Sequence, residues 1–223
     1  MRSFVSYLSK HGYVQRSLLD VLEYVKEPKL LPSSVLTHVQ VKRLLRMVAT
    51  TSSEGYRNRA LLELLYSTGT RIGEILTLDL SNIDLKNRTV IVMGKGNKQR
   101  VVPIGKTALR YMESYLVAVR PFLALDSDEQ AVFLNPDGTR LQYHTVRTMI
   151  KKYAKQAKLE VEVTAHTFRR SCTTELLREG ANMYHVKELL GHESLDTLNH
   201  YAKLTITDLK ATHEKCHPRE RDN

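Results

Sequence analysis

At 223 residues the chain is long enough to bury a sizeable core, as one large domain or one domain plus a fragment. Its 42% hydrophobic and 26% charged residues describe a soluble globular protein and exclude a disordered one. The excess of 34 Lys+Arg over 24 Asp+Glu gives a formal charge of +10, which favours a polyanion, since each neutralised phosphate releases condensed counterions.

An anionic membrane is the rival partner. The sequence holds no apolar run long enough to span a bilayer and no basic amphipathic helix at a terminus, so nucleic acid is expected and a membrane is not. The opening "MRSFVSYLSKHGYVQRSLL" lacks the continuous apolar stretch and cleavage site of a signal peptide. Two cysteines, Cys172 and Cys216, form no C-x-x-C pair, and "HEKCH" at 213–217 is a weak metal candidate. No metal or cofactor is expected, and a reducing cytosol, bacterial in character, fits best.

In chain order, residues 3–25 are predicted to be helical and "EPKLLPSS" (27–34), with two prolines, to be a linker. Thr37 and Gln40 have the spacing of a capping box, so a helix begins ahead of "VKRLLRMVA". "YRNRALLELLYSTG" (56–69) is strongly apolar and helical, with Gly69 as its stop. A short helix, "RIGEILTL", follows almost at once. There Arg71 has Glu74 at i+3, placed to fix the direction of its guanidinium; alone, the two would read as an ordinary surface pair.

The pattern then changes. "RTVIVM" and "RVVPI" are β-rich runs joined by "GKGNKQ", a glycine-containing hairpin connection. Lys95 sits at its tip between Gly94 and Gly96, where glycines let backbone approach a ligand. Lys98 and Arg100 add charge suited to gripping phosphates. Helices are predicted over 106–119, 143–158, 167–179, 183–190 and 204–215. In the second of these Arg147, Lys151, Lys155 and Lys158 share a face beside the apolar stripe Val146, Ile150, Tyr153 and Ala157, which suits either backbone phosphates or plain solvation. The expected class is mainly α with a small antiparallel β-sheet (α+β).

"AHTFRRS" (165–171) places His166 and Arg169 at i and i+3, on one helical face. His192 stands just past a glycine-terminated helix, and Tyr201 lies nine positions further on, one of eleven tyrosines. Together these residues have a chemical logic. A phosphodiester under attack by an oxygen nucleophile gathers negative charge on its non-bridging oxygens, which two arginines can clamp. A lysine can protonate the leaving alkoxide, and a histidine can serve a tyrosine nucleophile as base or as electrostatic support. The scheme needs no cluster of metal-binding carboxylates, and the sequence offers none.

The order "TGTRIGEILTL", "GKGNKQRVVPI", "HTFRRS", "LGH" and then Tyr resembles the tyrosine recombinase (phage integrase) family, especially its bacterial Xer-like and transposon integrase branches. The likeness spans roughly residues 30–210 and implies that family's catalytic-domain fold. It implies further that Arg71 and Arg169 clamp the scissile phosphate, that Glu74 supports the pocket and that Lys95 is general acid to the 5′ oxygen. His166 would be the proton-accepting partner and His192 a hydrogen bond to the phosphate, at a position where some relatives have tryptophan. Tyr201 would be the nucleophile, leaving a 3′-phosphotyrosyl bond and a free 5′ hydroxyl without ATP. Arg170 would be a structural or backbone-contacting extra.

Full-length members of the family carry an amino-terminal core-binding domain. Residues 1–29 are expected to be a remnant of it (its last helix plus a linker), and 30–223 the catalytic domain with a C-terminal helix. The chain is then either a fragment or a protein that works without that clamp. The implied activity is site-specific cleavage and rejoining of double-stranded DNA, by a homo-oligomer (dimer to tetramer) joined through the C-terminal helix, although that helix could equally fold back in cis. The alternatives are a type IB topoisomerase, which the compact motif spacing disfavours, and a non-catalytic DNA-binding regulator, which the complete residue set disfavours.

Overall fold

The computed structural model describes residues 7–13 and 35–191. Residues 7–10 are helical, within the helix expected over 3–25. The expected linker (27–34), the helix over 204–215, His192, Tyr201 and "HEKCH" lie outside the described residues. The chain divides into two units, Met1–Leu31 and Pro32–Asn223, and the second holds every motif that carries the family resemblance.

Helix α1 (His38–Arg46) starts where the capping box requires: Thr37 Oγ1 accepts from the Gln40 N–H, and Gln40 Oε1 accepts from the Thr37 N–H. It buries Val41, Leu44 and Leu45. Helix α2 (Ser53–Thr68) is the centre of the domain. Residues 60–65 are buried without interruption, as befits a helix with neighbours on all sides. It packs chiefly against the helices Lys106–Ala118 and Ala165–Arg178. It ends at Gly69, whose φ of 60° is the left-handed conformation that glycine adopts most cheaply. Helix α3 (Ile72–Leu76) follows after two residues, burying Ile72 and Ile75.

The sheet is antiparallel and three-stranded, in the order β1 (Ile83–Asp84), β2 (Thr89–Met93), β3 (Gln99–Pro103). Strands β2 and β3 are the expected hairpin, in register Val92↔Arg100 and Met93↔Gln99. Val90, Val92 and Val102 face the core while Ile91, Met93 and Val101 face out, the period-2 alternation of a half-buried sheet. The turn contains a 3-10 segment, Lys95–Asn97, with Gly96 at φ 72° and Asn97 at φ 60°.

Four of the remaining helices match expectation to within two residues: α4 (Lys106–Ala118), α6 (Tyr143–Gln156), α7 (Ala165–Arg178) and α8 (Met183–Leu190). The short α5 (Arg120–Leu123) lies between α4 and an irregular stretch that inserts Val132, Phe133 and Leu134 into the core. Tyr115 anchors that stretch, its hydroxyl donating to the Val132 carbonyl (3.0 Å) and accepting from the Leu134 N–H (3.2 Å). Among the described residues no helix is long and apolar enough to cross a membrane.

Candidate active site

The left-handed turn at Gly69 determines where Arg71 stands. It ends α2 abruptly and makes Arg71 the N-cap of α3. Glu74, one turn on, returns to it: Oε2 accepts from the Arg71 backbone N–H at 2.9 Å and Oε1 from Arg71 Nη1 at 3.0 Å. The expected Arg71–Glu74 pair is therefore formed, with Glu74 buried and Arg71 two-fifths exposed.

Arg169 arrives from α7, which begins two residues before the expected start because Thr164 caps it, accepting from the Thr167 N–H. Its guanidinium is buried between the ends of two other helices. Nη1 donates to the Gly69 carbonyl at 2.7 Å and Nη2 to the Leu190 carbonyl at 2.9 Å. His166, one turn earlier on α7, is exposed beside it. Partial burial of the ring, then the charges of Arg170, Arg169 and Arg71, hold its pKa below the ordinary histidine value, so the neutral imidazole is favoured.

Arg71, Glu74, His166 and Arg169 line one pocket of about 420 Å³, completed by Thr70, Gly73 and Gly94 and by an apolar wall of Ile72, Met93 and Ala165. The N-terminal end of α7 forms part of the rim, and its helix dipole adds to the positive field of the guanidiniums. Lys95 follows Gly94 at the pocket edge, and its side chain lies outside the described set, as do His192, which follows Gly191 directly, and Tyr201. Among the described residues no three or more His, Cys, Asp or Glu are grouped to hold a metal ion.

Outside the pocket, Lys98 is exposed on the hairpin. Arg147, Lys151 and Lys155 are exposed on α6 with Lys158 just past its end, opposite the buried Val146, Ile150, Tyr153 and Ala157. Arg100 departs from the expected outward grip on phosphate. Its side chain is 14% exposed and turns inward, donating to both oxygens of Glu74 (3.1 and 2.8 Å) and to the Leu189 carbonyl (3.1 Å). The signal was present in the strand alternation: Arg100 is two residues from the buried Val102 and pairs with the buried Val92, so it shares their face. Met93 and Thr70 line the pocket without having been singled out in the sequence.

Two arginines and a histidine converge on one concave site, on a mainly helical domain with a three-stranded sheet, and this is the fold of a tyrosine recombinase catalytic domain. The chain belongs to the phage integrase family, whose family model matches residues 34–207. It is similar to tyrosine recombinase XerD of Staphylococcus epidermidis, 37% identical over 219 residues, which are 98% of this chain and 74% of that protein. Tyrosine recombinase XerC of Oceanobacillus iheyensis is 38% identical over 225 residues, covering 100% of this chain and 73% of that one. Among solved structures, XerA recombinase aligns at 30% identity with a TM-score of 0.70, over 86% of this chain and 68% of that chain. XerH bound to its difH substrate in a pre-cleavage complex aligns at 26% identity with a TM-score of 0.68, over 81% of this chain and 53% of that chain.

Proposed function

We propose that the pocket binds the scissile phosphate of double-stranded DNA and that the chain cleaves and rejoins strands at a specific site. The observation that carries this reading is the meeting of Arg71 and Arg169, from separate motifs, with His166 at one pocket. XerH, a site-specific recombinase of the same fold, is bound to its difH substrate in its own structure, which supports the choice of substrate.

The chemistry follows from the charges. Arg71 and Arg169 stabilise the two non-bridging oxygens as negative charge grows on them, and His192 adds a hydrogen bond. The Tyr201 oxygen attacks phosphorus while neutral His166 receives the phenolic proton, and the bond from phosphorus to the 5′ oxygen breaks as Lys95 protonates that oxygen. A 3′-phosphotyrosyl ester and a 5′ hydroxyl result. Attack by a 5′ hydroxyl from another strand reverses each step, so one phosphoester replaces another and no ATP is consumed. Two copies or more act together on paired DNA, through the C-terminal helix, in the cytoplasm. Lys98, Arg147, Lys151, Lys155 and Lys158 contact the flanking backbone phosphates.

The test is incubation with a nicked duplex carrying the recombination site, built so that the short fragment bearing the 5′ hydroxyl diffuses away and cannot religate. A covalent protein–DNA adduct is the expected result. Tight DNA binding with no adduct would favour a non-catalytic regulator, and relaxation of supercoiled plasmid lacking the site would favour a topoisomerase.

A further inference from the structure

The carboxylate of Glu74 accepts four hydrogen bonds. Two come from Arg71, through its backbone N–H and Nη1, and two from the Arg100 fork, Nη1 to Oε1 at 3.1 Å and Nη2 to Oε2 at 2.8 Å. Four is about the capacity of an ionised carboxylate. Burial works against the charge of Glu74, but the Arg100 hydrogen bond foremost, with those from Arg71, keeps its pKa below the ordinary carboxylate value.

The charge balance gives Arg100 a second consequence. A lone Glu74–Arg71 pair is neutral, so the carboxylate would cancel much of the field that Arg71 offers a phosphate. With Arg100 sharing the same carboxylate, the trio carries one net positive charge and Arg71 retains its attraction for an anion.

Arg100 also reaches the far wall. Its Nε donates to the Leu189 carbonyl at 3.1 Å, and the next carbonyl, that of Leu190, accepts from Arg169. Consecutive carbonyls at the negative end of α8 thus hold two guanidiniums from different elements. Gly191 lies directly against the Arg100 guanidinium, where a Cβ would come within 2.9–3.1 Å of Nη1, Cζ and Nε.

We propose that Arg100 is a positioning residue for strand cleavage: anchored on the Leu189 carbonyl, it fixes Glu74 and through it Arg71. This rests on the recombinase reading. Lysine cannot replace it, because a point charge spans neither both carboxylate oxygens nor the carbonyl beyond.

The experiment compares wild type, Arg100→Lys and Gly191→Ala. The second variant keeps every charge and crowds the guanidinium, and because an alanine at φ +65° also strains the backbone, the Arg71→Ala background and the Arg71 rotation assign its defect to Arg100 if Arg100→Lys does not fold. Both should bind duplex DNA with wild-type affinity and salt dependence yet cleave roughly 10- to 100-fold more slowly, by analogy with losing the residue that orients a metal ligand. That defect should vanish on an Arg71→Ala background, and NMR should show faster rotation of the Arg71 guanidinium. A salt slope shallower by about 0.9, with bound duplex cleaved at the wild-type rate, would make Arg100 a phosphate contact and overturn the proposal. So would defects that multiply with Arg71→Ala, or an Arg71 guanidinium as immobile as in wild type. If the wild-type chain forms no adduct at all, the recombinase reading falls, and the Arg71 rotation still decides whether Arg100 positions it.

Discussion

Arg169 donates to the carbonyl of Gly69 at 2.7 Å, so the guanidinium carried by α7 is fastened to the turn that ends α2 and delivers Arg71. One glycine therefore sets the position of both arginines. It also has no room to change, for a Cβ there would lie 2.7 Å from Leu190 Cδ2 and 3.2 Å from Cys172 Sγ, at a φ of +60°. Gly69→Ala should lower unfolding free energy by roughly 1–3 kcal/mol from the strained backbone alone. Urea denaturation measures this, and a variant as stable as wild type would show that the turn relaxes freely.

If the two arginines of the pocket clamp one phosphate, as proposed, they should not behave independently. Arg71→Ala and Arg169→Ala should each slow single-turnover cleavage by at least ~10²-fold, by analogy with removing one preorganised oxyanion donor. Their combined loss should be less than multiplicative. Rapid-quench cleavage of a nicked duplex reads both, and either single variant cleaving within a few-fold of wild type would contradict the clamp.

His166 should titrate below histidine's ordinary value of 6.5, as followed by NMR of its ring protons. Burial contributes most, and Arg170 is the foremost of the neighbouring charges. Arg170→Ala should therefore move the titration upward, towards 6.5. The sign for stability follows by linkage. Because the folded-state value is depressed, the unfolded chain binds the proton more readily, so stability from this group is full above 6.5 and declines as pH falls below it towards the folded value. An upward shift in wild type would remove His166 as a neutral proton acceptor at pH 7.

Arg57 places a buried charge in the core away from the site. It is 2% exposed, with Nη1 donating to the Leu134 carbonyl at 2.8 Å and Nε and Nη2 to Asn58 Oδ1. Arg57→Ala would leave a cavity and two buried acceptors without their donor, costing roughly 2–5 kcal/mol. Urea denaturation checks this, and a loss below about 1 kcal/mol would mean that water replaces the guanidinium.

The longer described helices were legible because their apolar spacing is strong: the stripe of Val146, Ile150 and Tyr153 is the buried face of α6, and Gly191 ends α8 at the expected residue, whereas the four-residue α5 is too short to carry a period. The hairpin was legible from its glycine turn. Strand β1 was not, since two residues carry no period, and the stretch around Val132–Leu134 is held by tertiary partners such as Tyr115 rather than by local pattern. At the site, the meeting of Arg71, Glu74, His166 and Arg169 was implied by motif order. The inward turn of Arg100 was hidden because an arginine beside a basic hairpin suggests solvent or phosphate, whereas its register with Val92 places it against Glu74.

Covalent attachment through Tyr201 is the centre of the account, and one measurement addresses it directly. Wild type and Tyr201→Phe are incubated in excess EDTA with a nicked duplex carrying the recombination site and labelled at the 5′ end of the cleaved strand, and labelled protein is resolved on a denaturing gel. Wild type should form the adduct in EDTA, because on the proposed mechanism Arg71, Arg169 and their neighbours supply the positive charge at the phosphate. Tyr201→Phe should bind the same duplex with nearly unchanged affinity and form no adduct, since only a hydroxyl is lost. A Tyr201→Phe protein that becomes labelled at the wild-type rate, or a wild-type adduct that requires a divalent ion, would contradict the account.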